Sequence, residues 1–275
     1  MPSNEPRESK AQQRDASRKK ALEMRAAQEK KAKRSRIIAI SGLVAAVAVL
    51  AVVVAVILGQ AKPTAADLDA KTPLKGVTAP VGALDNGSIP VGTDGTAGST
   101  SGADAVIVSV YYDYLCPYCA NFETANAATL DKMASAGDIQ VEYHPLAFLD
   151  RASAGTEYST RSAQAIAYVA DADPEHFLAF HEALFANQPA ENTAGLTDDE
   201  IAALAVEAGV PQAVADEIAA DGGKFTTWVT AATAQAQLDK VSGTPTVKIN
   251  GTSTGQDVDL YTAGPLEEAI RAAMG

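Results

Sequence analysis

Residues 105–119 read AVIVSVYYDYLCPYC, and this stretch decides the fold. Ala105–Tyr112 is a β-branched, largely apolar run, the pattern of a central strand buried on both faces. Asp113-Tyr114-Leu115 turns the chain, and a helix is expected from the cysteine motif to about Ala134. Pro117 suits the first helical turn, where its missing N–H has no partner to lose. Ile139–Leu146 then alternates like a second strand. A hydrophobic strand running into Cys-x-x-Cys at a helix start is the setting a redox motif needs.

The chemistry follows from that placement. The thiolate is the reactive form of cysteine, with an ordinary pKa near ~8.5. At a helix N-terminus, unpaired backbone N–H groups and the positive dipole end favour the anion. Cys116 is therefore expected to be the exposed nucleophile. Cys119, one turn later and deeper, resolves the mixed disulfide. The pair exchanges two electrons with a substrate dithiol, and Pro117-Tyr118 between them tunes its potential. The chain has two Cys only, so any disulfide within it is Cys116–Cys119, a loop too small to staple a fold. Zinc wants four ligands in structural sites. Only His144, His176 and His181 could complete such a set. His176 and His181 are five apart, off a common helix face, and read as helix-surface or core-edge residues. No metal and no cofactor beyond the redox pair is expected.

Upstream, Asn86–Val91 reads as a short edge strand that tolerates Pro90. Gly92–Gly102 reads as a flexible loop, and residues 59–85, with Pro63, Pro73 and Pro80, as an extended spacer. Downstream, helices are expected over Glu157–Val169, from Asp173-Pro174 to Ala186, from a capping box at Thr197-x-x-Glu200, from Pro211, and over Lys224–Leu238. Thr246–Ile249 is a strand and Asn250-Gly251 a hairpin turn, with a second short strand expected near Gln256–Val258. Pro265–Met274 closes the chain as a helix. The order is βαβ, a helical block at about 156–222, then ββα. This is an α/β thioredoxin-type arrangement, a mixed central sheet with flanking helices and a helical insertion.

Charge divides the chain in two. Residues 1–36 hold 12 basic and 5 acidic side chains, 12 − 5 = +7; the rest holds 10 basic and 29 acidic, 10 − 29 = −19. The acidic bulk argues against nucleic-acid binding. The 47 % apolar content excludes disorder throughout. Between the halves, residues 37–58 (IIAISGLVAAVAVLAVVVAVIL) carry no charge. As a helix they reach about 33 Å, enough for a hydrocarbon core of about 30 Å. Lys30, Lys31, Lys33, Arg34 and Arg36 stand just before them. The positive-inside rule then orients a single-pass anchor with residues 1–36 as a cytoplasmic tail and residues 86–275 as an extracytoplasmic domain. A cleaved signal peptide is the alternative, but its apolar core is usually only ~7–15 residues.

Tyr112-Asp113-Tyr114-Leu115-Cys116-Pro117-Tyr118-Cys119-Ala120-Asn121-Phe122-Glu123, together with Ser242-Gly243-Thr244-Pro245-Thr246, resembles the DsbA-like thiol–disulfide oxidoreductases of bacteria. The resemblance covers roughly 86–275. It implies a cis Thr244-Pro245 peptide facing Cys116–Cys119 that aligns substrate backbone as an added strand. Glu123 matches an acidic position of the family. It shares a helix face with Cys119, where it tunes or moves the Cys119 proton or is an ordinary surface acid. Phe122 reads as core packing. Pro-Tyr between the cysteines is the glutaredoxin dipeptide, whereas DsbA oxidases more often have Pro-His, so less cationic stabilisation of Cys116 is expected. The implied partners are unfolded or reduced exported proteins and a membrane oxidase of the DsbB or vitamin K epoxide reductase kind. The expected activity is disulfide formation in exported proteins by a membrane-tethered enzyme. An extracytoplasmic reductase or isomerase, or a Cu(I)-binding module using the same thiolates, is the alternative.

Overall fold

Five strands make one mixed sheet in a computed structural model that describes residues 68–220 and 223–275. The apolar run becomes β2 (Val106–Tyr112), buried nearly throughout and central, as its composition requires. It pairs parallel with β3 (Ile139–Pro145) and antiparallel with β4 (Thr246–Ile249). β1 (Ile89–Val91) lies antiparallel on β3 as one edge, and β5 (Thr252–Ser253) lies on β4 as the other. Register decides where the chemistry falls. Tyr112 sits opposite Pro145, and Tyr111 opposite Thr246. The turn leaving β2, the segment leaving β3 and the segment entering β4 therefore meet at one end of the sheet.

Helix α1 (Pro117–Ser135) crosses back over β3 and packs on α7 (Pro265–Met274), while α6 (Thr226–Leu238) packs against β3 and α2. The insertion supplies α2 (Tyr158–Ala172), α3 (Phe177–Ala186), α4 (Asp198–Glu207) and α5 (Gln212–Ala220). Every residue of α2 from Tyr158 to Ala170 except Arg161 is buried. Its Ser, Thr and Ala side chains are small enough to let α3, α4, α5 and α6 all approach it. The capping box at the start of α4 forms: Thr197 Oγ1 accepts from Glu200 N at 3.2 Å, and Glu200 Oε2 accepts from Thr197 N at 2.8 Å.

Some expectations fall outside the described residues and others need correction. Residues 1–36, the apolar run 37–58 and the start of the expected spacer, up to residue 67, lie outside the described residues; among those described, no helix is long and apolar enough to cross a membrane. From Leu68 onward the segment is no extended spacer. Pro73 and Pro80 are buried, Leu74, Val77 and Ala83 pack on the core, and Val81 N donates to Asp171 Oδ1 at 2.9 Å. The apolar side chains spaced along this arm gain more by docking than by remaining in water. The Gly/Ser/Thr-rich loop 92–102 is likewise tied down. Gly98 N donates to Pro90 O at 2.8 Å and Ala97 N to Pro174 O at 3.1 Å. A Cβ on Gly82 would lie 2.6 Å from the Gly98 Cα, so two backbones touch where only glycine fits. The second hairpin strand begins at Thr252, not near Gln256. Asn250 and Gly251 both take positive φ, 48° and 79°, and such a two-residue turn makes the partner strand restart at once.

Candidate active site

Asp113 sets the turn that delivers the first cysteine. Its buried carboxylate accepts from Leu115 N and from Leu149 N, each at 2.9 Å, which ties the turn after β2 to the segment after β3. Burial raises its pKa to about 7 despite those bonds. Cys116 N donates to Asp113 O at 3.0 Å, and Cys116 then becomes the N-cap of α1, with extended backbone (φ −80°, ψ 114°) and Pro117 in the first turn. The insertion closes the other side. One side-chain nitrogen, Gln188 Nε2, donates to both Tyr114 O and Cys116 O, each at 2.9 Å.

The two thiols lie one helical turn apart in opposite surroundings. Cys116 is 5 % exposed and Cys119 1 %. The expected exposed nucleophile is therefore largely covered, because Thr244 packs over it: Cys116 Sγ donates to Thr244 O at 3.3 Å. The Thr244-Pro245 peptide is cis. Cys116 nonetheless lines a groove of about 510 Å³ whose walls are the segments 147–149 and 241–244 and whose rim carries Tyr118. Cys119 does not reach that groove. A hydrogen bond from the Cys119 thiol is the main cause that brings the Cys116 pKa down to about 6. Burial opposes it, while Thr244 and the backbone N–H groups of Cys119 and Tyr118 add to it. Tyr118 thus acts on the sulfur through its backbone, and its ring is 60 % exposed. Burial, then the neighbouring Cys116, holds the Cys119 pKa well above its usual value. The arrangement makes one low-pKa sulfur at the wall of a groove and one deeper thiol of raised pKa, the asymmetry that thiol–disulfide exchange uses.

Glu123 has a largely covered side chain and is not an isolated surface acid. Its Oε2 lies 3.3 Å from His181 Nε2, and His181 Nδ1 lies 2.8 Å from Tyr114 Oη. Tyr114 Oη in turn lies 3.4 Å from Tyr112 Oη. His181, expected at a helix surface or core edge, is 1 % exposed and ringed edge-on by Tyr112, Tyr143 and Phe185. The stretch HFLAFH is apolar on more than one face, and α3 sinks between α1 and α2, which carries His181 inward. The other two imidazoles are elsewhere: His144 stacks on Tyr111 at 3.9 Å, and His176 Nδ1 lies 2.8 Å from Asp173 Oδ2. Phe122 is core. Sequence reasoning missed Asp113, Gln188 and His181. The turn at Asp113-Tyr114-Leu115 was legible in the sequence, but not the bond from Leu149 N to the Asp113 carboxylate that ties it to the segment after β3; nothing in the local sequence around Gln188 marks its long-range bonds.

Comparison with known proteins agrees with this geometry. A family model described as thioredoxin matches residues 92–264. The serine/threonine-protein kinase PknE of Mycobacterium tuberculosis is 36 % identical over 146 residues, which is 51 % of this chain but 26 % of the kinase, so the match spans about a quarter of that protein. The reduced disulfide-bond oxidoreductase DsbG of M. tuberculosis superposes with a TM-score of 0.54 at 32 % identity, covering 68 % of this chain and 85 % of that one. Reduced DsbA of the same organism gives 0.52 at 31 % identity over 68 % and 99 %. With a reactive Cys-x-x-Cys at the head of α1, a cis proline loop beside it and a helical insertion above, the chain belongs to the thioredoxin family, as a DsbA-like thiol–disulfide oxidoreductase.

Proposed function

We propose that this protein promotes disulfide formation in exported proteins while tethered to the cell membrane through residues 37–58. One observation carries the redox direction. The Cys116 sulfur is stabilised as a thiolate by Cys119, Thr244 and two backbone N–H groups, which favours the reduced pair and makes the disulfide the stronger oxidant. In the forward reaction a substrate thiolate attacks Cys116 Sγ of the oxidised pair. The Cys116–Cys119 bond breaks, and Cys119 leaves and takes up a proton. A second substrate thiolate then attacks the substrate sulfur of the mixed disulfide and expels Cys116 as the thiolate. Two electrons pass from two substrate thiols to the pair. Thr244-Pro245 holds the substrate backbone beside the sulfur. Pro117, Tyr118 and Glu123 are the groups that tune the pair. A membrane quinone-linked oxidase of the DsbB or vitamin K epoxide reductase kind restores the disulfide.

The tether rests on the uncharged 37–58 run and the basic cluster before it, which put residues 1–36 in the cytoplasm and the redox domain outside. That compartment is one where disulfides persist. A reductase or isomerase at the same site is the second reading, and Tyr118 favours it: there is no imidazole between the cysteines to add positive charge.

Equilibration with glutathione separates the two. An oxidase gives a potential well above the ~−270 mV of thioredoxin and refolds a reduced, unfolded protein with its disulfides. A value at that of thioredoxin, with rapid insulin reduction, overturns the oxidase reading. Cys116→Ala abolishes exchange in either direction. Deleting residues 37–58 moves the protein out of the membrane fraction.

A further inference from the structure

We propose that Tyr118 and Tyr261 form an aromatic clamp beside Cys116 that receives the side chain next to the substrate's cysteine, so that Tyr261 makes the enzyme prefer polypeptides with an aromatic residue at that position. Large exposed apolar side chains are few on the described surface, and two of them stand together, one of them Tyr118, which lines the same groove as Cys116. Tyr118 is 60 % exposed and Tyr261 47 %, with ring centroids 5.8 Å apart and planes inclined at 51°. Two tilted rings that stay open to water are a poor way to stabilise a fold and a ready surface for a third ring.

Tyr261 is presented there by a built loop. Its neighbour Leu260 is buried, and the Leu260 carbonyl accepts from the buried amide of Asn126 at 2.9 Å. The same Asn126 nitrogen donates to Phe122 O at 2.9 Å, so the loop is pinned to the helix that carries the cysteines. Asp259 fixes the approach, accepting from Tyr261 N at 2.9 Å and from Thr262 Oγ1 at 2.8 Å. The Tyr261 hydroxyl has its pKa raised, first by burial and then by the charges of Cys116 and Cys119, as expected of a ring held close to both sulfurs.

The occupant follows from the site's layout. The groove on one side of Cys116 is walled by Phe148, Leu149 and Val241, and Tyr118 lines its rim. Tyr261 is outside the groove's lining, with its ring 5.8 Å from that of Tyr118, so a polypeptide that reaches Cys116 through the groove and continues over Tyr118 would meet Tyr261 next. An aromatic side chain adjacent to the cysteine fills the space over the two rings; a small polar one leaves them wet.

This inference rests on the reading that Cys116 exchanges with polypeptide thiols. The test uses two reduced peptides that differ only in the residue after cysteine, Phe or Ser, and measures the second-order rate of exchange with the oxidised full-length protein. The wild type is expected to react about tenfold faster with the Phe peptide. Tyr261→Ala is expected to bring the two rates together, Tyr261→Phe to keep the preference, and the reduction potential to stay the same in both variants. Equal rates in the wild type, or an unchanged preference in Tyr261→Ala, overturn the clamp while leaving exchange itself intact. A shift in potential large enough to account for the rate change also overturns it, since Tyr261 would then act through the sulfurs. If the wild type reacts with neither peptide, the exchange reading falls and takes the clamp with it.

Discussion

Two parts of the chain meet at Cys116 and contribute different things. The sheet side, made of the turn after β2, the head of α1 and the loop before β4, touches the sulfur directly: the Cys119 thiol, Thr244 and the N–H groups of Tyr118 and Cys119 all reach it. Among the described residues, none of the insertion acts on either sulfur directly. It reaches the site through Gln188, which holds the carbonyls of Tyr114 and Cys116, and through His181, which fills the buried space between Tyr114 and Glu123. One side sets reactivity; the other holds the frame in which that reactivity is expressed. Changes on the sheet side should therefore move the titration of Cys116, and changes in the insertion should move stability.

The largest contrast is between the two thiols. Alkylation of reduced protein by iodoacetamide should modify Cys116 with a half-point near pH 6 and slow about tenfold per pH unit below it. Cys119 should stay unmodified well above pH 9. Cys119→Ala removes the main hydrogen bond to the Cys116 sulfur and should shift that half-point upward. The same asymmetry predicts the pH dependence of stability. Cys116 is lowered from 9.0 to about 6 on folding, so between those values the unfolded chain binds the extra proton. Stability of the reduced form from this group is full above pH 9 and is lost as pH falls through about 6. Cys119 acts with the opposite sign, since its folded pKa is raised and it costs stability above pH 9. Urea midpoints of the reduced protein minus those of the oxidised protein should rise from pH 6 to a maximum near pH 9. A flat difference would show that neither thiol is perturbed.

Within the insertion, His181→Ala should be the most damaging change. It opens a cavity among Tyr112, Tyr143 and Phe185, strands the Tyr114 hydroxyl, and leaves Glu123 without its imidazole. Losses of this kind cost about 3 kcal/mol. Gln188→Ala takes a donor from two backbone carbonyls, at roughly 1 kcal/mol each. Both are read from urea unfolding. In both variants the alkylation half-point of Cys116 should remain near pH 6. If either moves it by a full unit, the insertion is part of the chemistry and the division fails.

That division also explains what could be read in advance. The strand, Cys-x-x-Cys, helix order and the Gly-Thr-Pro loop are local patterns: alternation or continuity of apolar residues, proline where an N–H is dispensable, a thiol at a helix start. Each was visible in a handful of neighbouring residues, and the sheet brought them together as strand order demands. The insertion's helices were visible too, by their caps and periods. What they do at the site was not. His181 and Gln188 act across 67 and 72 residues of sequence, on Tyr114 and Cys116 respectively. Nothing near them in the chain marks those distances. The arm from Leu68 misled for a related reason. Prolines spaced among small residues look extended, but Pro73 and Pro80 are buried because the domain offers them a surface.

The smallest predicted effect tests the division where it should be cleanest. Thr197 caps α4 at the edge of the insertion. Its hydroxyl accepts from Glu200 N, and its backbone N–H is answered by the Glu200 carboxylate. Thr197→Ala removes the cap and should cost about 1 kcal/mol of stability. Arg161, which bonds Asp198 Oδ1 at 2.7 Å, still holds the first turn to α2, so the helix should fray rather than detach. Exchange rate and Cys116 titration should both match the wild type. The value of so mild a variant is calibration. If a loss of about 1 kcal/mol at Thr197 slowed exchange, any slowing in Gln188→Ala would be read as general loosening. If exchange is untouched here and slowed there, the two bonds from Gln188 to the carbonyls of Tyr114 and Cys116 are what holds the cysteine in place.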